Sequence, residues 1–118
     1  MKILVVEDDL DTRDLLSELL EMEGHQIVTA SESQHALEIL NNQSCIDLLV
    51  TDVSLPGMSG IELAKMSKSI KPLLGIIVCS GYGMKEFEAL PFSVEWVQKP
   101  IEMGQFLNAV ERHAGVSQ

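Results

Sequence analysis

The sequence predicts an α/β fold in which a five-stranded parallel sheet carries helices on both faces. Short apolar runs rich in β-branched residues alternate with segments whose apolar residues recur at helical spacing, and this alternation repeats five times. Parallel strands that are buried on both faces form nearly continuous apolar runs, as residues 3–6, 46–52 and 74–79 do. Right-handed crossovers between such strands leave few possible topologies.

The first half of the chain supplies three of the predicted strands and two helices. After a strand over residues 3–6, a helix ends at Gly24, and residues 27–29 have the half-apolar pattern typical of an edge strand. Ser33 is a suitable N-cap for the second helix, and the third strand covers residues 46–52. The apolar positions of the two helices are Leu10, Leu15, Leu16, Leu19, Leu20, Met22, Ala36, Leu37, Ile39 and Leu40.

The second half continues the same alternation. A loop over residues 55–60 contains a proline and two glycines, and a fourth strand covers residues 74–79. A short helix is expected over residues 84–90, a last strand over residues 94–98, and a last helix ending at Gly115. The helical methionines, which we expect to fill core or groove positions, are Met22, Met66 and Met103.

Composition and charge limit the possible functions. A chain of 118 residues fits one domain, here residues 1–118, and no apolar stretch approaches the roughly 20 residues that a membrane span needs. We expect no signal peptide and no appended effector domain, and the start at Met1 favours a stand-alone chain. The formal charge of −10 argues against direct binding to nucleic acid or to anionic lipid. Cys45 and Cys79 are expected to be small buried hydrophobes in a reducing cytoplasm.

Acidic residues follow two of the buried strands. The first strand runs into Glu7 and Asp8, and the third ends at Asp52. In open sheets of this kind, ligands bind beyond the carboxyl ends of the strands, where the strand order reverses. The same edge should also receive Ser80 and Lys99, which follow the fourth and fifth strands. Crowded carboxylates resist joint ionisation and therefore require a cation or a shared proton.

The residue types at this edge favour one chemistry. Carboxylates without histidine or cysteine suit Mg²⁺ rather than Zn²⁺. A carboxylate can also act as a nucleophile and accept a phosphoryl group as an acyl phosphate. The transition state of that transfer needs cationic and hydroxyl donors around the equatorial oxygens, and Lys99 and Ser80 are of those types.

Four motifs together resemble the response-regulator receiver domains of two-component signalling over nearly the whole chain. They are residues 3–9, residues 52–60, residues 80–81 and residues 99–100, each following a predicted strand. The resemblance implies a flavodoxin-like, three-layer (βα)5 fold with strand order 2-1-3-4-5. It further implies a cytoplasmic phosphoprotein that takes a phosphoryl group from a histidine kinase or a histidine phosphotransfer protein and then binds a downstream protein target.

The resemblance also assigns the acceptor and its metal. Asp52 matches the phosphoacceptor of the family. Asp8 matches a direct Mg²⁺ ligand, and Glu7 matches its acidic neighbour. Ser54 matches the position whose backbone carbonyl also binds the metal.

The remaining assignments concern the conformational switch. Ser80 matches the switch hydroxyl, Lys99 the lysine that pairs with the phosphoryl group, and Trp96 the switching aromatic. Ser54 and Tyr82 match positions that tune dephosphorylation. The stretch between Ser80 and Lys99 is shorter than the common family pattern, so a short or displaced helix is expected there.

Other classes of function are also open at this point. The chain could be the receiver part of a hybrid sensor kinase, or a pseudo-receiver that binds partners without phosphorylation. A phosphatase of the haloacid dehalogenase type would need a second aspartate where Ser54 stands. A flavodoxin-like cofactor binder would need a phosphate-cradling loop where Glu7 and Asp8 stand.

Overall fold

The computed structural model describes residues 1–43, 45–81 and 92–113, and they form five strands and four helices. In chain order these elements are β1 (Lys2–Val6), α1 (Leu10–Met22), β2 (Gln26–Ala30), α2 (Ser33–Asn42), β3 (Leu48–Asp52), α3 (Gly60–Ile70), β4 (Gly75–Ser80), β5 (Glu95–Gln98) and α4 (Met103–His113). The helix expected over residues 84–90 and the cap expected at Gly115 lie outside the described residues.

The five strands form one parallel sheet with the order β2-β1-β3-β4-β5. This confirms the flavodoxin-like order predicted from the sequence. Residues 27–29 belong to an edge strand, as their half-apolar pattern predicted. In the register of β1 on β3, Val6 lies opposite Thr51, so the residues after Val6 reach the level of Asp52.

The ends of α1 have typical capping residues, whereas the start of α2 differs from the sequence prediction. The Asp9 side chain caps α1 by accepting a hydrogen bond from the Thr12 backbone N–H at 2.9 Å. After α1, Gly24 takes a φ of 93°, which favours glycine over other residues. Ser33 is not the N-cap of α2, because it is already the first helical residue. Its buried hydroxyl instead donates to the Met58 carbonyl at 2.8 Å.

The core has two layers, one on each face of the sheet. Side chains alternate along each strand, so Leu4 and Val6 pack toward α2 and α3, while Ile3 and Val5 pack toward α1 and α4. Phe106 of α4 is fully buried in the second layer. This arrangement gives the three layers that the alternating pattern predicted.

Some side chains differ from the sequence prediction. Met22 is 81% exposed and Met66 43% exposed, so neither fills the core, whereas Met103, which is also exposed at 47%, lines a groove beside α1. Cys45 is exposed and only Cys79 is buried, so the expectation of two buried cysteines is half wrong. None of the helices in the described part of the chain has the length and apolar character needed to cross a membrane.

Candidate functional site

Three carboxylates meet at the carboxyl edge of the sheet. Asp52 is the last residue of β3, and Glu7 and Asp8 follow β1, the neighbouring strand. One oxygen from each of Glu7, Asp8 and Asp52 lies within 4.8 Å of the others. Glu7 and Asp52 are buried, whereas Asp8 is exposed, so the cluster is open to water on one side. The sequence prediction that these acids gather at one edge is therefore confirmed.

Lys99 is the cation of this cluster. Its Nζ donates to Asp52 Oδ2 at 2.8 Å and lies 3.7 Å from Glu7 Oε1. Its backbone N–H donates to the Ser80 carbonyl at 2.8 Å, so the same residue joins the ends of β4 and β3. The ammonium balances part of the negative charge that three close carboxylates create.

The environment shifts the pKa of two of these groups. Burial raises the pKa of Glu7 above its ordinary value, and the charge of Asp52 adds to this, although the Asp9 N–H and Lys99 act in the opposite direction. Burial alone would lower the pKa of Lys99. The hydrogen bond to Asp52 and the two nearby carboxylates outweigh that effect and raise it. Lys99 therefore stays protonated beside an acidic cluster of which two members are buried and one is exposed.

The backbone around Asp52 is closely packed. Val53 N–H donates to the Cys79 carbonyl at 3.1 Å, and Gly60 N–H donates to the Val53 carbonyl at 2.8 Å. A Cβ at Gly60 would overlap the Asp52 carbonyl oxygen, so no side chain can be placed there without a shift of the backbone. Glycine is thus required where α3 begins against β3.

Three further predicted site residues lie in β4, in β5 and in the loop after β3. Ser80 is buried at the end of β4, one residue beyond Cys79, which is the register partner of Asp52. Ser54 is exposed in the loop directly after β3. Trp96 is half-buried in β5 and packs on the core layer that contains Leu4. Tyr82 lies outside the described residues.

Two side chains that the sequence did not predict at this site support it. Arg13 Nη1 donates to the Glu7 carbonyl at 2.9 Å, and the Ser33 hydroxyl holds the Met58 carbonyl in the loop after β3. Arg13 stands one helical turn after the cap Asp9. That spacing could have marked Arg13 as a side chain close to the acids, but nothing in the sequence indicated its acceptor.

The donor set fits Mg²⁺. Within the described residues, Glu7, Asp8 and Asp52 form the one group of three potential metal-binding side chains, and all three supply oxygen. Mg²⁺ prefers oxygen ligands and keeps several waters, which the exposed side of the cluster at Asp8 allows. The neighbouring Cys79 is not in this group; its side chain is buried in the core layer that contains Ile3, and burial raises the pKa of its thiol to about 12.

A parallel α/β sheet of this order, with an acidic cluster and a paired lysine at its carboxyl edge, defines a class of signalling domain. The family model described as "Response regulator receiver domain" matches residues 3–111. The chain therefore belongs to the response regulator receiver domain family of two-component systems. Receiver domains bind Mg²⁺ at an acidic pocket and interact with histidine kinases and phosphotransfer proteins.

Similar proteins include short and long chains. The chain is 33% identical to response regulator protein FleR of Pseudomonas aeruginosa over 116 residues, which cover 96% of this chain but 24% of FleR. It is also 33% identical to sporulation initiation phosphotransferase F of Bacillus subtilis over 119 residues, covering 95% of this chain and 92% of that protein. The chain thus spans about a quarter of one relative and nearly all of the other.

A solved structure supports the same assignment. Response regulator protein TrrA of Thermotoga maritima, in complex with Mg²⁺-BeF, is 30% identical with a TM-score of 0.85. The match covers 95% of this chain and 97% of the TrrA chain. The family and the fold are therefore supported by sequence and by structure.

Proposed function

We propose that Asp52 accepts a phosphoryl group from a phosphohistidine of a partner protein and later loses it by hydrolysis. The observation that carries this proposal is the arrangement around its carboxylate. Lys99 Nζ lies 2.8 Å from Asp52 Oδ2, and one oxygen each of Glu7, Asp8 and Asp52 lie within 4.8 Å of one another. Asp52 is only 8% exposed, so its carboxylate is largely shielded from water, while the cluster opens to solvent at Asp8, from which a donor could approach.

The transfer is a displacement at phosphorus. A carboxylate oxygen of Asp52 forms the new P–O bond, and the P–N bond to the donor imidazole breaks. The electron pair of that bond goes to the imidazole nitrogen, which then takes a proton. In the later hydrolysis, water attacks phosphorus and releases inorganic phosphate and the Asp52 carboxylate. Lys99 stabilises the negative charge on the phosphoryl oxygens in both steps.

Glu7, Asp8, Asp52 and the backbone carbonyl of Ser54 would hold Mg²⁺ at this site. When bound, the ion neutralises charge on the phosphoryl oxygens and orients the group for in-line transfer. The chain itself supplies the ligands and excludes much of the water, since Glu7 and Asp52 are both buried. Asp8 provides the solvent-facing side of the site.

The switch follows from the contacts of Lys99 and Ser80. An acyl phosphate at Asp52 adds negative charge where Lys99 already hydrogen-bonds, and the Lys99 backbone is tied to the Ser80 carbonyl. The added charge therefore draws the Lys99 ammonium and the Ser80 hydroxyl toward the phosphoryl group. Trp96, paired with Val78 in the neighbouring strand, changes its packing as β4 and β5 adjust. A shift of a few kcal/mol is enough to reverse such a two-state population.

In this role, the protein would receive its phosphoryl group from a histidine kinase or a histidine phosphotransfer protein and would then bind a downstream protein target. An open groove of about 260 Å³ starts at Lys99 and runs along α1, and its walls include Leu15, Ile101 and Met103. We expect this groove to contact the histidine-bearing partner, because it is apolar and reaches the cation beside Asp52. With a net charge of −10, the chain is not expected to bind nucleic acid or a membrane directly. We expect it to act in the cytoplasm.

The decisive experiment is phosphorylation by acetyl phosphate in the presence of Mg²⁺, followed by intact-protein mass spectrometry. Wild type should gain one phosphoryl group, and Asp52→Asn should gain none. Asp47→Asn is the matched control, because Asp47 is exposed just before β3, at the opposite end of the strand that ends at Asp52. Failure of wild type to form the adduct would contradict the proposal and favour a pseudo-receiver that only binds partners.

A further inference from the structure

Glu7 is held at each of its polar groups. Its backbone N–H donates to the Ala30 carbonyl at 3.1 Å, and its backbone carbonyl accepts from Arg13 Nη1 at 2.9 Å. Its Oε2 accepts from the Asp9 N–H at 3.1 Å, and its Oε1 lies 3.7 Å from Lys99 Nζ. The backbone and the carboxylate of this residue are therefore fixed by separate partners.

The contact made by Arg13 differs from the others because it acts on the peptide unit between Glu7 and Asp8. That unit is planar, so fixing its carbonyl also fixes the direction of the Asp8 N–H and the start of the Asp8 side chain. On the other side of Asp8, the Asp9 side chain accepts from the backbone N–H and the hydroxyl of Thr12. Asp8 is exposed, so its neighbours in the chain, rather than packing, hold it in place.

We propose that Arg13 is a positioning residue for Mg²⁺ binding: its guanidinium anchors the peptide between Glu7 and Asp8 and so presents both carboxylates to the ion. This inference rests on the metal site described under the proposed function. Mg²⁺ demands near-octahedral geometry, so the affinity depends on how well the carboxylates are oriented before the ion arrives. Partners that orient metal ligands typically contribute about 10–100-fold to metal affinity.

A competing effect predicts the opposite result. The positive charge of Arg13 close to the site should repel a divalent cation, so its removal should tighten binding if charge were the dominant effect. The orientation effect predicts weaker binding after the same removal. A charge-assisted hydrogen bond from a partly buried guanidinium to a carbonyl is strong and directional, which favours orientation.

The test compares Arg13→Met, Arg13→Lys and wild type by calorimetric titration with MgCl₂, beside a thermal melt of each protein. We expect Arg13→Met to weaken Mg²⁺ binding about tenfold. Arg13→Lys keeps the charge but loses the planar guanidinium, so its Mg²⁺ affinity should lie between those of wild type and Arg13→Met. Arg112→Met is the control, because Arg112 of α4 forms an ion pair with Glu95 of β5 instead of contacting Glu7. It should change the Mg²⁺ affinity less than about twofold.

Phosphorylation by acetyl phosphate supplies a second reading. Arg13→Met should need about tenfold more Mg²⁺ for half-maximal rate, yet approach the wild-type rate at saturating Mg²⁺, because Arg13 acts through the ligands.

Unchanged or tighter Mg²⁺ binding in Arg13→Met would overturn the inference. If that variant does not fold, an unchanged affinity in Arg13→Lys would overturn it. Wild type that binds Mg²⁺ without forming the Asp52 adduct would contradict the proposed function alone, and wild type that binds no Mg²⁺ would contradict both.

Discussion

Lys99 and Asp52 are 47 residues apart in the sequence, yet their side chains form a hydrogen bond of 2.8 Å at the carboxyl edge of the sheet. The same lysine lies 3.7 Å from Glu7, so it serves two buried carboxylates. This relationship joins the stability of the domain to its chemistry, because the cation that reduces repulsion between the acids also donates a hydrogen bond to the proposed acceptor.

Replacement of Lys99 by alanine should separate these two roles. Without Mg²⁺, Lys99→Ala leaves two buried acids without their cation and should lower the free energy of unfolding by about 1–3 kcal/mol. Urea denaturation measures this loss. Lys65→Ala, at an exposed position of α3, is the control and should change stability by less than about 0.5 kcal/mol.

The same variant tests the switch. Lys99→Ala should still accept phosphate at Asp52 but should show little of the fluorescence change that phosphorylation causes at Trp96, which is the single tryptophan. Equal fluorescence changes, or equal binding of the phosphorylated wild type and variant to a partner, would contradict a role for Lys99 in the conformational response.

Mg²⁺ should stabilise the folded protein, because it binds the carboxylate cluster that unfolding disperses. At a concentration of 100 times its Kd, the expected gain is about 2.7 kcal/mol, seen as a rise in melting temperature. Asp8→Asn should remove most of this rise, whereas Asp11→Asn, an exposed acid in the first turn of α1, should retain it. A melting temperature that millimolar Mg²⁺ does not change would contradict the proposed metal site.

Gly60→Ala should destabilise the domain by at least about 2 kcal/mol, because the new Cβ would overlap the Asp52 carbonyl oxygen. Alanine is otherwise favoured in helices, so the loss reports the close approach of α3 to β3. Gly104→Ala is the control. Its Cβ would meet the Glu102 carboxylate at 3.2 Å rather than backbone, and that carboxylate accepts from the Gly104 and Gln105 N–H groups, so the exchange should change stability by less than about 1 kcal/mol. Equal melting temperatures for the two variants would contradict the packing argument.

His113 should make stability depend on pH. Burial lowers the pKa of His113 below its ordinary value of about 6.5, although Glu95 partly opposes this and Arg112 and Lys68 add to it. Between the lowered folded pKa and 6.5, the unfolded chain binds more protons, so stability decreases as the pH falls through this window. His113→Gln should reduce this decrease between pH 7.5 and 5, and exposed His35→Gln should not. Parallel pH profiles for wild type and His113→Gln would contradict the prediction.

Much of the fold and the acidic centre could be predicted because both depend on residue type and order along the chain. Apolar runs that end at Glu7 and at Asp52 place both acids at one edge once the strands are parallel. The gathering of Lys99 at the same edge follows from the fifth strand. Right-handed crossovers reduce the possible strand orders to a few, and the resemblance to receiver domains implied the order 2-1-3-4-5 that the sheet has.

The remaining features depend on contacts that no pattern encodes. Ser33 is a typical cap residue, but its hydroxyl donates to Met58, which lies 25 residues away and becomes its neighbour only after α2 and α3 pack together. Met22 has the spacing of a core residue, but it is the last residue of α1 and stands 81% exposed. The Arg13 contact with Glu7 likewise depends on the position of α1 relative to the strand ends.

The absence of a side chain at Gly60 has a mechanical consequence. The backbone of α3 touches the backbone of Asp52 without any intervening rotamer to absorb a displacement. A displacement of β3 at Asp52 therefore acts directly on the first residue of α3, with no side chain between the two backbones.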